Sequence, residues 1–556
     1  MLLTVIDQPR FKQAAAGKPT QMKKIFVVFI CLLSMLSTFG QENLPTDYLS
    51  KEFHAARREA FRNLMPDNSV AVIFSYPERT FSEDINYVFH QNPNLYYLSG
   101  YKEPNAVLML FKTPQQSNGA TYKELFFVRQ RDAAREIWTG RRLGVEGVKT
   151  KLGFSNVFSG KEFKNFGIDF KKFDFILHDV IPDDVKTDNS GFDLLGLLQT
   201  FKDQLPPQPS KAAIEVHNEL QAIATYATAG NMKNIIAYEK NKAATNDAFK
   251  KNALMSEFLS LTDPQALAQL INKIKSQKKW GTDMYTDNTQ QLREIKTPEE
   301  LALLRKSVKI SCMAHNEVIR AITTGMSERE AEGIHSFIHK KNGAEEEGYP
   351  PIVGSGGNGC ILHYEENSAL KIDNQLLLMD VGCEYHGYSA DVTRTVPANG
   401  KFTPEQKAIY QLVYDAQEAI FPLCKEGTPF YELNEKAVEV LAAGMLKLGI
   451  IGKLDEIEKY YPHGCSHHLG LDVHDKSAYG NLKENMVITV EPGIYIPAGS
   501  PCDKKWWNIG VRIEDDVIIG KEQCENISAG SPRKWDEIEK MAAESSSFTE
   551  LPALKL

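Results

Sequence analysis

The chain has 556 residues, a length that favours two or three domains over a single core. Its 42% hydrophobic and 24% charged residues are typical of a globular protein, and its formal net charge of −8 argues against a nucleic-acid-binding surface. The eight cysteines include no CxxC pair, so a disulfide scaffold is not expected.

Residues 1–40 are predicted to be a signal peptide region. The stretch "MKKIFVVFICLLSMLSTFG" begins at Met22 with two lysines, continues with an apolar run and ends in small and polar residues. The run is too short for a membrane-spanning helix. We therefore expect translation from Met22, cleavage after Gly40 and export to the periplasm without a stable membrane anchor. Secretion and an uncleaved anchor are the alternatives.

Residues 41–290 are predicted to form an N-terminal α/β domain. A helical pattern over "LPTDYLSKEFHAARREAFRNLM" precedes two apolar, β-rich runs, "SVAVIFSY" (69–76) and "AVLMLF" (106–111). Beyond "PPQPS" (206–210), a long stretch rich in Ala, Lys and Asn predicts a helical insertion near 205–285. That stretch carries no recognisable chemistry.

Residues 291–535 are predicted to form a second domain of the α+β class. Two helices begin with a capping box, at Thr297 with Glu300 and at Thr403 with Gln406. The runs "QLLLMDVG", "NMVITVEPGIYI" and "NIGVRIEDDVIIG" indicate strands, so we expect a curved sheet with helices on one face. Residues 536–556 are predicted to be a short helix followed by a disordered tail.

Two aspartates, Asp380 and Asp391, interrupt the strand-like runs of "LLLMDVGCEYHGYSADVTRTV". A hairpin turning between Tyr385 and His386 would set them opposite each other, with Cβ atoms ~4.5–5.5 Å apart. Carboxylates at that distance repel unless one is protonated or a cation lies between them. The alternative is two solvent-facing aspartates, which the apolar flanks disfavour.

Two further carboxylates, Glu491 and Glu514, also lie in apolar strand-like runs, and "HGCSHHLGLDVHD" (463–475) supplies four histidines. A structural ion pair of Glu514 with Arg512 is the simpler explanation for that pair alone. Four carboxylates and one histidine together predict a site for two divalent ions, most simply Mn²⁺, with Co²⁺ or Zn²⁺ possible. Such a pair of ions can hold a bridging hydroxide and polarise a carbonyl, which is hydrolytic chemistry.

The order of these motifs resembles the pita-bread metallopeptidases. "HGCSHHLGLDVHD" and "NGCILHYEEN" (358–367) are most similar to the aminopeptidase P family. "FHQNPNLYYLSGY" (89–101) and "AREIWTGRRLG" (134–144) resemble the creatinase-like α/β N-terminal domain of that family. The resemblance implies an α+β pita-bread domain on the C-terminal side of this α/β domain. It does not cover the stretch from about 185 to 285.

The resemblance also implies a role for each site residue. The metal ligands would be Asp380, Asp391, His467, Glu491 and Glu514, with Asp391 and Glu514 bridging both ions. Glu491 would also take the proton of the attacking water. His363 and His474 would bind substrate and stabilise the tetrahedral intermediate, and His463 and Arg512 would line the substrate site. Tyr388 and His468 are expected to support the site or simply to pack.

The expected function is therefore that of an exopeptidase releasing the N-terminal residue from peptides with proline in second position, in a homodimer or homotetramer. A prolidase restricted to Xaa-Pro dipeptides would share all five ligands and is the main alternative. A non-catalytic peptide-binding module is a remote one, since all five ligands are present. The GxGxxG match "GSGGNG" (354–359) is not interpreted as a nucleotide site, because a nucleotide site requires a helix directly after it. The residues that follow, "CILHYEEN" (360–367), are instead expected to form a strand.

Overall fold

The computed structural model of the protein describes residues 45–550, apart from 118, 188–192, 207–208 and 278. The predicted signal peptide lies outside the described residues, as does the end of the predicted tail. Along the described part of the chain, no helix combines the length and the apolar character that a bilayer span requires.

The N-terminal part of the chain folds around a mixed five-stranded sheet. Its strands are β1 (Ser69–Phe74), β4 (Val107–Ser117), β5 (Ala120–Val128), β6 (Val157–Ser159) and β7 (Phe175–His178), and a small hairpin adds β2 (Thr80–Ser82) and β3 (Ile85–Asn86). The sheet order is β6-β5-β4-β1-β7, and the β1–β7 and β5–β6 pairs are parallel. The helices are α1 (Lys51–Leu64), α2 (Pro93–Ser99), α3 (Ala133–Thr139), α4 (Gly144–Leu152) and α5 (Leu194–Gln204).

Both faces of this sheet are covered, which explains why its strands are continuous apolar runs. Along β1, Ala71 and Ile73 pack into one hydrophobic cluster, while Val70 and Val72 pack into another on the opposite face. Alternating side chains point to opposite faces of a strand, so a strand buried on both sides needs apolar residues at every position.

A separate all-helical segment follows the N-terminal sheet. It comprises α6 (Lys211–Tyr226), α7 (Met232–Thr245), α8 (Asp247–Lys251), α9 (Ala253–Leu259) and α10 (Pro264–Lys275). These helices share one hydrophobic cluster whose buried members all come from residues 216–274. The helical character predicted for 205–285 is thus present, and α11 (Gly281–Arg293) then leads into the C-terminal domain.

The C-terminal domain surrounds several short sheets with long helices. Its helices are α12 (Pro298–Ala321), α13 (Glu328–Lys341), α14 (Pro404–Ile420), α15 (Tyr431–Leu448) and α16 (Trp535–Met541). Its strands are β8 (Glu346–Glu347), β9 (Ile352–Ser355), β10 (Leu376–Asp380), β11 (Cys383–Tyr385), β12 (Tyr388–Ser389), β13 (Thr393–Pro397), β14 (Val487–Val490), β15 (Gly493–Ile496), β16 (Ile509–Arg512), β17 (Asp515–Ile518) and β18 (Glu525–Asn526).

Four short sheets and one isolated bridge bring the predicted site residues together. The sheet orders are β13-β10-β9, β12-β11-β8, β14-β17-β18 and β15-β16. An isolated bridge between Thr393 and Glu514 joins the first of these sheets to the segment between β16 and β17. The carboxylates predicted from separate parts of the sequence therefore lie on neighbouring strands.

The predicted capping boxes are present at both helix starts, Thr297 with Glu300 and Thr403 with Gln406. One local prediction is wrong: residues 361–366, expected to be a strand, form a turn and irregular backbone after a short 3-10 helix at Asn358–Cys360. The buried carboxylate of Glu328 accepts hydrogen bonds from Asn358 and Tyr364, so contacts distant in sequence decide this loop.

Candidate metal centre and active site

The hairpin between β10 and β13 carries Asp380 and Asp391 into the site. Backbone pairing joins Tyr385 to Tyr388 and Asp380 to Thr393. The predicted register, with Asp380 opposite Asp391, is therefore wrong by two residues, because the turn lies one residue further along the chain than predicted. Both aspartates are nevertheless buried on the same side of the hairpin, because Asp391 lies two residues before Thr393 and residues two apart on a strand point to the same face.

The turn of this hairpin explains the shifted register. It lies at His386 and Gly387, whose φ angles are 51° and 88°. A two-residue hairpin turn of this kind requires positive φ at both positions, which glycine allows. A Cβ at Gly387 would lie 2.7 Å from the ring of Tyr96, whose hydroxyl donates to the carbonyl of His386 at 2.8 Å. The N-terminal part of the chain thus packs directly on the turn.

Tyr349 links the two aspartates. Its hydroxyl lies 2.5 Å from Asp380 Oδ1 and 2.6 Å from Asp391 Oδ1. Burial, and then the negative charges of these aspartates, raise the pKa of Tyr349 well above its ordinary value. The tyrosine therefore stays a neutral donor. It was not predicted from the sequence, because "EGYPP" carries neither a charge pattern nor a periodicity that singles it out.

His467 lies between two of the other predicted ligands. Its Nε2 is 3.3 Å from Asp391 Oδ2 and 3.5 Å from Glu491 Oε1. Burial opposes protonation of this imidazole, but the hydrogen bond to Asp391 and the charge of Glu491 raise its pKa to about 9. The ligand atoms of Asp391, His467 and Glu514 lie within 4.8 Å of one another.

The pKa values of the carboxyl groups reflect how close together they lie. Burial, followed by the charges of neighbouring carboxylates, raises the pKa of both Asp391 and Glu514. Burial also raises the pKa of Glu491 to about 7, although the charge of His467 opposes the shift. These carboxyl groups lie so close together that they favour their protonated forms. A divalent cation bound by their oxygens and by one imidazole nitrogen would take the place of those protons.

Arg512 holds Asp380 rather than Glu514, so the ion pair predicted as the simpler alternative is wrong. Its guanidinium donates to Asp380 Oδ2 at 2.6 Å, to the Tyr495 hydroxyl at 2.8 Å and to Thr393 Oγ1 at 3.2 Å. Glu514 instead accepts from Thr393 Oγ1 at 2.6 Å. Arg512 thus orients Asp380, and Thr393 orients Glu514.

Three further histidines surround this core. His463 Nε2 is 2.8 Å from the Tyr495 hydroxyl, and its Nδ1 is 3.8 Å from Glu491 Oε2. The ring of His474 lies 4.1 Å from that of His467. Burial lowers the pKa of His474 to about 4, with the charges of His467 and His363 contributing. The structure therefore brings eight of the nine predicted site residues into contact, and the ninth, His363, is exposed and influences His463 and His474 through its charge.

A buried ion-pair network, also missed from the sequence, holds the segment that carries His474. The next residue, Asp475, contacts the guanidinium of Arg293 and accepts from Lys296 Nζ at 2.8 Å, and all three side chains are 1% exposed. Arg293 also donates to Asp472 at 2.6 Å. Because Arg293 and Lys296 lie at the junction before α12, the connection between the domains fixes the position of His474.

Comparisons with known proteins identify the families that the two main parts of the chain match. Residues 302–521 match the metallopeptidase family M24, and residues 54–171 match the aminopeptidase P, N-terminal domain. The chain is 33% identical to Xaa-Pro aminopeptidase of Escherichia coli over 503 residues, covering 88% of this chain and 97% of that protein.

Solved structures agree with these matches. Aminopeptidase P of E. coli with the inhibitor Pro-Leu superimposes with a TM-score of 0.67 at 31% identity, over 89% of this chain and 98% of that chain. A zinc-substituted form of the same enzyme in complex with product gives 0.68 over the same shares of the two chains, at 31% identity. The predicted fold, a creatinase-like α/β domain followed in sequence by a pita-bread domain, is confirmed. The chain belongs to the M24 metallopeptidases, in the group that carries an aminopeptidase P N-terminal domain.

Proposed function

We propose that this protein removes the N-terminal residue from peptides that have proline in the second position. Two observations support the proposal. The side chains of Asp391, His467 and Glu514 form one cluster, with Glu491 beside His467 and with Asp380 and Asp391 both in contact with Tyr349. An E. coli Xaa-Pro aminopeptidase is also matched along nearly its whole length. A prolidase would need the same ligands, so the length of the accepted substrate separates the two activities.

Asp380, Asp391, His467, Glu491 and Glu514 would hold two divalent ions, with Mn²⁺ as our proposal and Co²⁺ or Zn²⁺ as alternatives. When bound, such ions lower the pKa of a water towards neutrality and polarise the scissile carbonyl. Glu491 takes the proton from the attacking water and delivers it to the leaving nitrogen. His363 and His474 donate hydrogen bonds to the oxygen on which negative charge develops.

His463 and Arg512 support the reaction by positioning neighbouring side chains of the site. Arg512 fixes Asp380 and Tyr495, and Tyr495 in turn contacts His463. The leaving nitrogen of an Xaa-Pro bond is a proline imide without an N–H, so the site binds the ring by shape rather than by accepting a hydrogen bond from that nitrogen. Export to the periplasm and assembly into a dimer or tetramer remain part of the proposal.

The first experiment compares a dipeptide with a longer peptide. The protein without residues 1–40 would be stripped with chelator, reloaded with Mn²⁺ and given Ala-Pro and Arg-Pro-Pro-Gly-Phe. We expect release of arginine from the longer peptide and a loss of roughly 10²–10⁴-fold in the Glu491→Gln variant. Glu484→Gln, an exposed glutamate of the same domain, is the matched control.

Each other outcome has a definite meaning. Cleavage of Ala-Pro alone would make the protein a prolidase. The absence of metal-dependent cleavage of both peptides by the native protein would contradict the peptidase proposal and favour a peptide-binding module.

A further inference from the structure

Two cysteines of the C-terminal domain meet at a point that the proposed reaction does not use. Cys424 follows α14 and the short 3-10 helix at Phe421–Leu423, and Cys524 lies in the loop between β17 and β18. Both pack into the same hydrophobic cluster, Cys424 as a fully buried member and Cys524 as a partly buried one. The fold therefore joins two thiols that are distant in the sequence.

The path of the backbone explains how these cysteines approach each other. After β17, Gly520 pairs with Lys425 in an isolated parallel bridge. The chain then folds back on itself, since a Cβ on Gly520 would lie only 2.3 Å from the carbonyl oxygen of Gln523. Glycine permits this close approach, and the turn returns Cys524 to the segment that contains Cys424.

The two sulfur atoms lie side by side at the end of α14. Cys424 Sγ is 3.6 Å from the carbonyl oxygen of Ile420, and Cys524 Sγ is 3.7 Å from that of the next residue, Phe421. The two thiols also form a hydrogen bond with each other. Both are free thiols in this structure. Their contact provides the proximity that a disulfide requires.

The two thiols differ in accessibility and in acidity. The hydrogen bond from Cys424 lowers the pKa of Cys524, although burial opposes the shift, whereas the same hydrogen bond and burial raise the pKa of Cys424. The other five cysteines of the described chain also have raised pKa values. Residues 521–523, just before Cys524, are exposed. Because the thiolate is the form that attacks a disulfide, an oxidant would react with Cys524 first.

We propose that Cys424 and Cys524 form a disulfide when the protein meets a disulfide oxidant, RS–SR, and that this cross-link stabilises the C-terminal domain. The Cys524 thiolate attacks one sulfur of the oxidant, which forms a mixed disulfide and releases one RS⁻. The Cys424 thiol then loses its proton to water, and its sulfur attacks Cys524 Sγ and releases the second RS⁻. The protein thus loses two protons and two electrons, and the oxidant is reduced to two thiols.

A single cross-link of this kind differs from the disulfide scaffold that the sequence does not indicate. It would close a loop of about 100 residues, a length at which a disulfide strongly restricts the unfolded chain. Disulfides persist in oxidising compartments, and the export proposed above would take the protein to one. The inference does not depend on the proposed peptidase activity.

The first test treats the folded protein with oxidised glutathione and maps its peptides without reduction. We expect a cross-linked pair of peptides that contain Cys424 and Cys524, both in the native protein and in the control Cys502→Ser, which removes another partly buried cysteine of the same domain. Cys424→Ser should instead retain glutathione on Cys524. Cys524→Ser should leave the buried Cys424 as a free thiol. Native protein that keeps both thiols free, or that carries only glutathione on Cys524, would overturn the proposal.

Thermal unfolding measures the effect of the cross-link on stability. The oxidised native protein should melt roughly 10 °C above the same protein kept in a reducing agent. This difference should persist in Cys502→Ser and disappear in Cys524→Ser. Because each protein is compared with its own reduced form, a loss of stability caused by the substitution itself does not affect the result. Equal melting temperatures for native protein with and without the cross-link would contradict its stabilising role.

Discussion

Arg512 contacts one carboxylate oxygen of Asp380 and Tyr349 contacts the other, so the geometry of Asp380 depends on both. Arg512 is buried, and its guanidinium reaches a carboxylate, a phenol and a threonine hydroxyl at the same time. A planar fork can satisfy three separated acceptors, whereas a lysine ammonium is a single point on a flexible stem. The orientation of this aspartate is thus set by residues that need not touch a metal themselves.

We expect Arg512→Lys to lower metal affinity or kcat/KM by about 10–100-fold, because partners that orient metal ligands have effects of that size. Calorimetric titration of the stripped protein with Mn²⁺ would measure the affinity, and peptide hydrolysis the activity. Arg305→Lys is the control, since Arg305 forms a two-point pair with Glu525 at the exposed surface. A result equal to that of the control would show that Asp380 is held by other contacts.

The residues of the site were predictable to different degrees. Asp380, Asp391, Glu491 and Glu514 stood out because a charge inside an apolar strand needs a partner. Tyr349 did not, since an uncharged side chain in an irregular loop leaves no pattern. The hairpin register was predicted wrongly because the left-handed conformations of His386 and Gly387 moved the turn by one residue.

At the scale of helices, α12 and α13 pack against each other through histidines that no local pattern explains. His315, His335 and His339 are fully or almost fully buried, and their rings lie 4.5 Å and 5.9 Å apart along this order. Glu347 lies 2.5 Å from His339 Nδ1, and Val381 O lies 3.1 Å from His315 Nε2. Among the described residues, both ring nitrogens of His335 are without a hydrogen-bond partner.

This cluster should make the protein sensitive to acid. Burial lowers the pKa of His315 from 6.5 to about 3 and that of His335 well below 6.5. The unfolded chain then binds protons below pH 6.5 that the folded chain does not, so the free energy of unfolding falls as the pH decreases from 6.5. Each such histidine contributes up to about 1.36 kcal/mol per pH unit.

We therefore expect His335→Leu to reduce the pH dependence of stability between pH 6 and pH 5 by about 1 kcal/mol per pH unit. Urea unfolding at the two pH values, followed by the fluorescence of the C-terminal domain, would measure the difference. Phe337→Leu, at an exposed position of the same helix, removes no titrating group and is the control. Parallel pH profiles for the native protein and His335→Leu would show that His335 does not titrate between the two states.

Helices and strands with strong local signals were predicted well, and those held by distant contacts were not. The boxes at Thr297 and Thr403 satisfy backbone donors from within the same helix turn, so the sequence contains all the information needed. The loop at 361–366 depends on Glu328, more than thirty residues away, and its apolar residues misleadingly indicated a strand. Tertiary contacts decide such segments, which is why pattern reasoning failed there.

At the scale of the whole molecule, the five-helix segment is the part that the family relationship explains least. The matches to the two families end at residue 171 and resume at residue 302, so residues 211–275 lie between them. The segment has a hydrophobic cluster of its own. Contacts to the rest of the chain include the stacking of His217 on Trp280, with ring centroids 3.8 Å apart, and the pairing of His217 with Asp283.

These features predict that the enzyme tolerates loss of the segment. Ser210 and Gln277 line the same small cavity, so a short Gly/Ser linker can replace residues 211–275. We expect the shortened protein to fold and to hydrolyse an Xaa-Pro tripeptide within a few-fold of the native rate. Its melting temperature should fall by only a few degrees, at roughly 2–4 °C per kcal/mol of lost contacts.

A point substitution tests the same prediction without depending on the choice of linker. Phe258 is fully buried in the segment's own cluster, so Phe258→Ala should cost about 3–5 kcal/mol there. Limited proteolysis should then cut within 211–275 while peptide hydrolysis continues. Phe127→Ala, equally buried but in the N-terminal sheet, should instead destabilise the domain that packs on the β11–β12 turn and reduce activity. If loss of the segment and Phe258→Ala both abolish hydrolysis in soluble protein, the segment must hold the site in place. Its contacts with the rest of the chain would then transmit the effect; they include Tyr226, whose ring lies 6.1 Å from that of Tyr479, and His217.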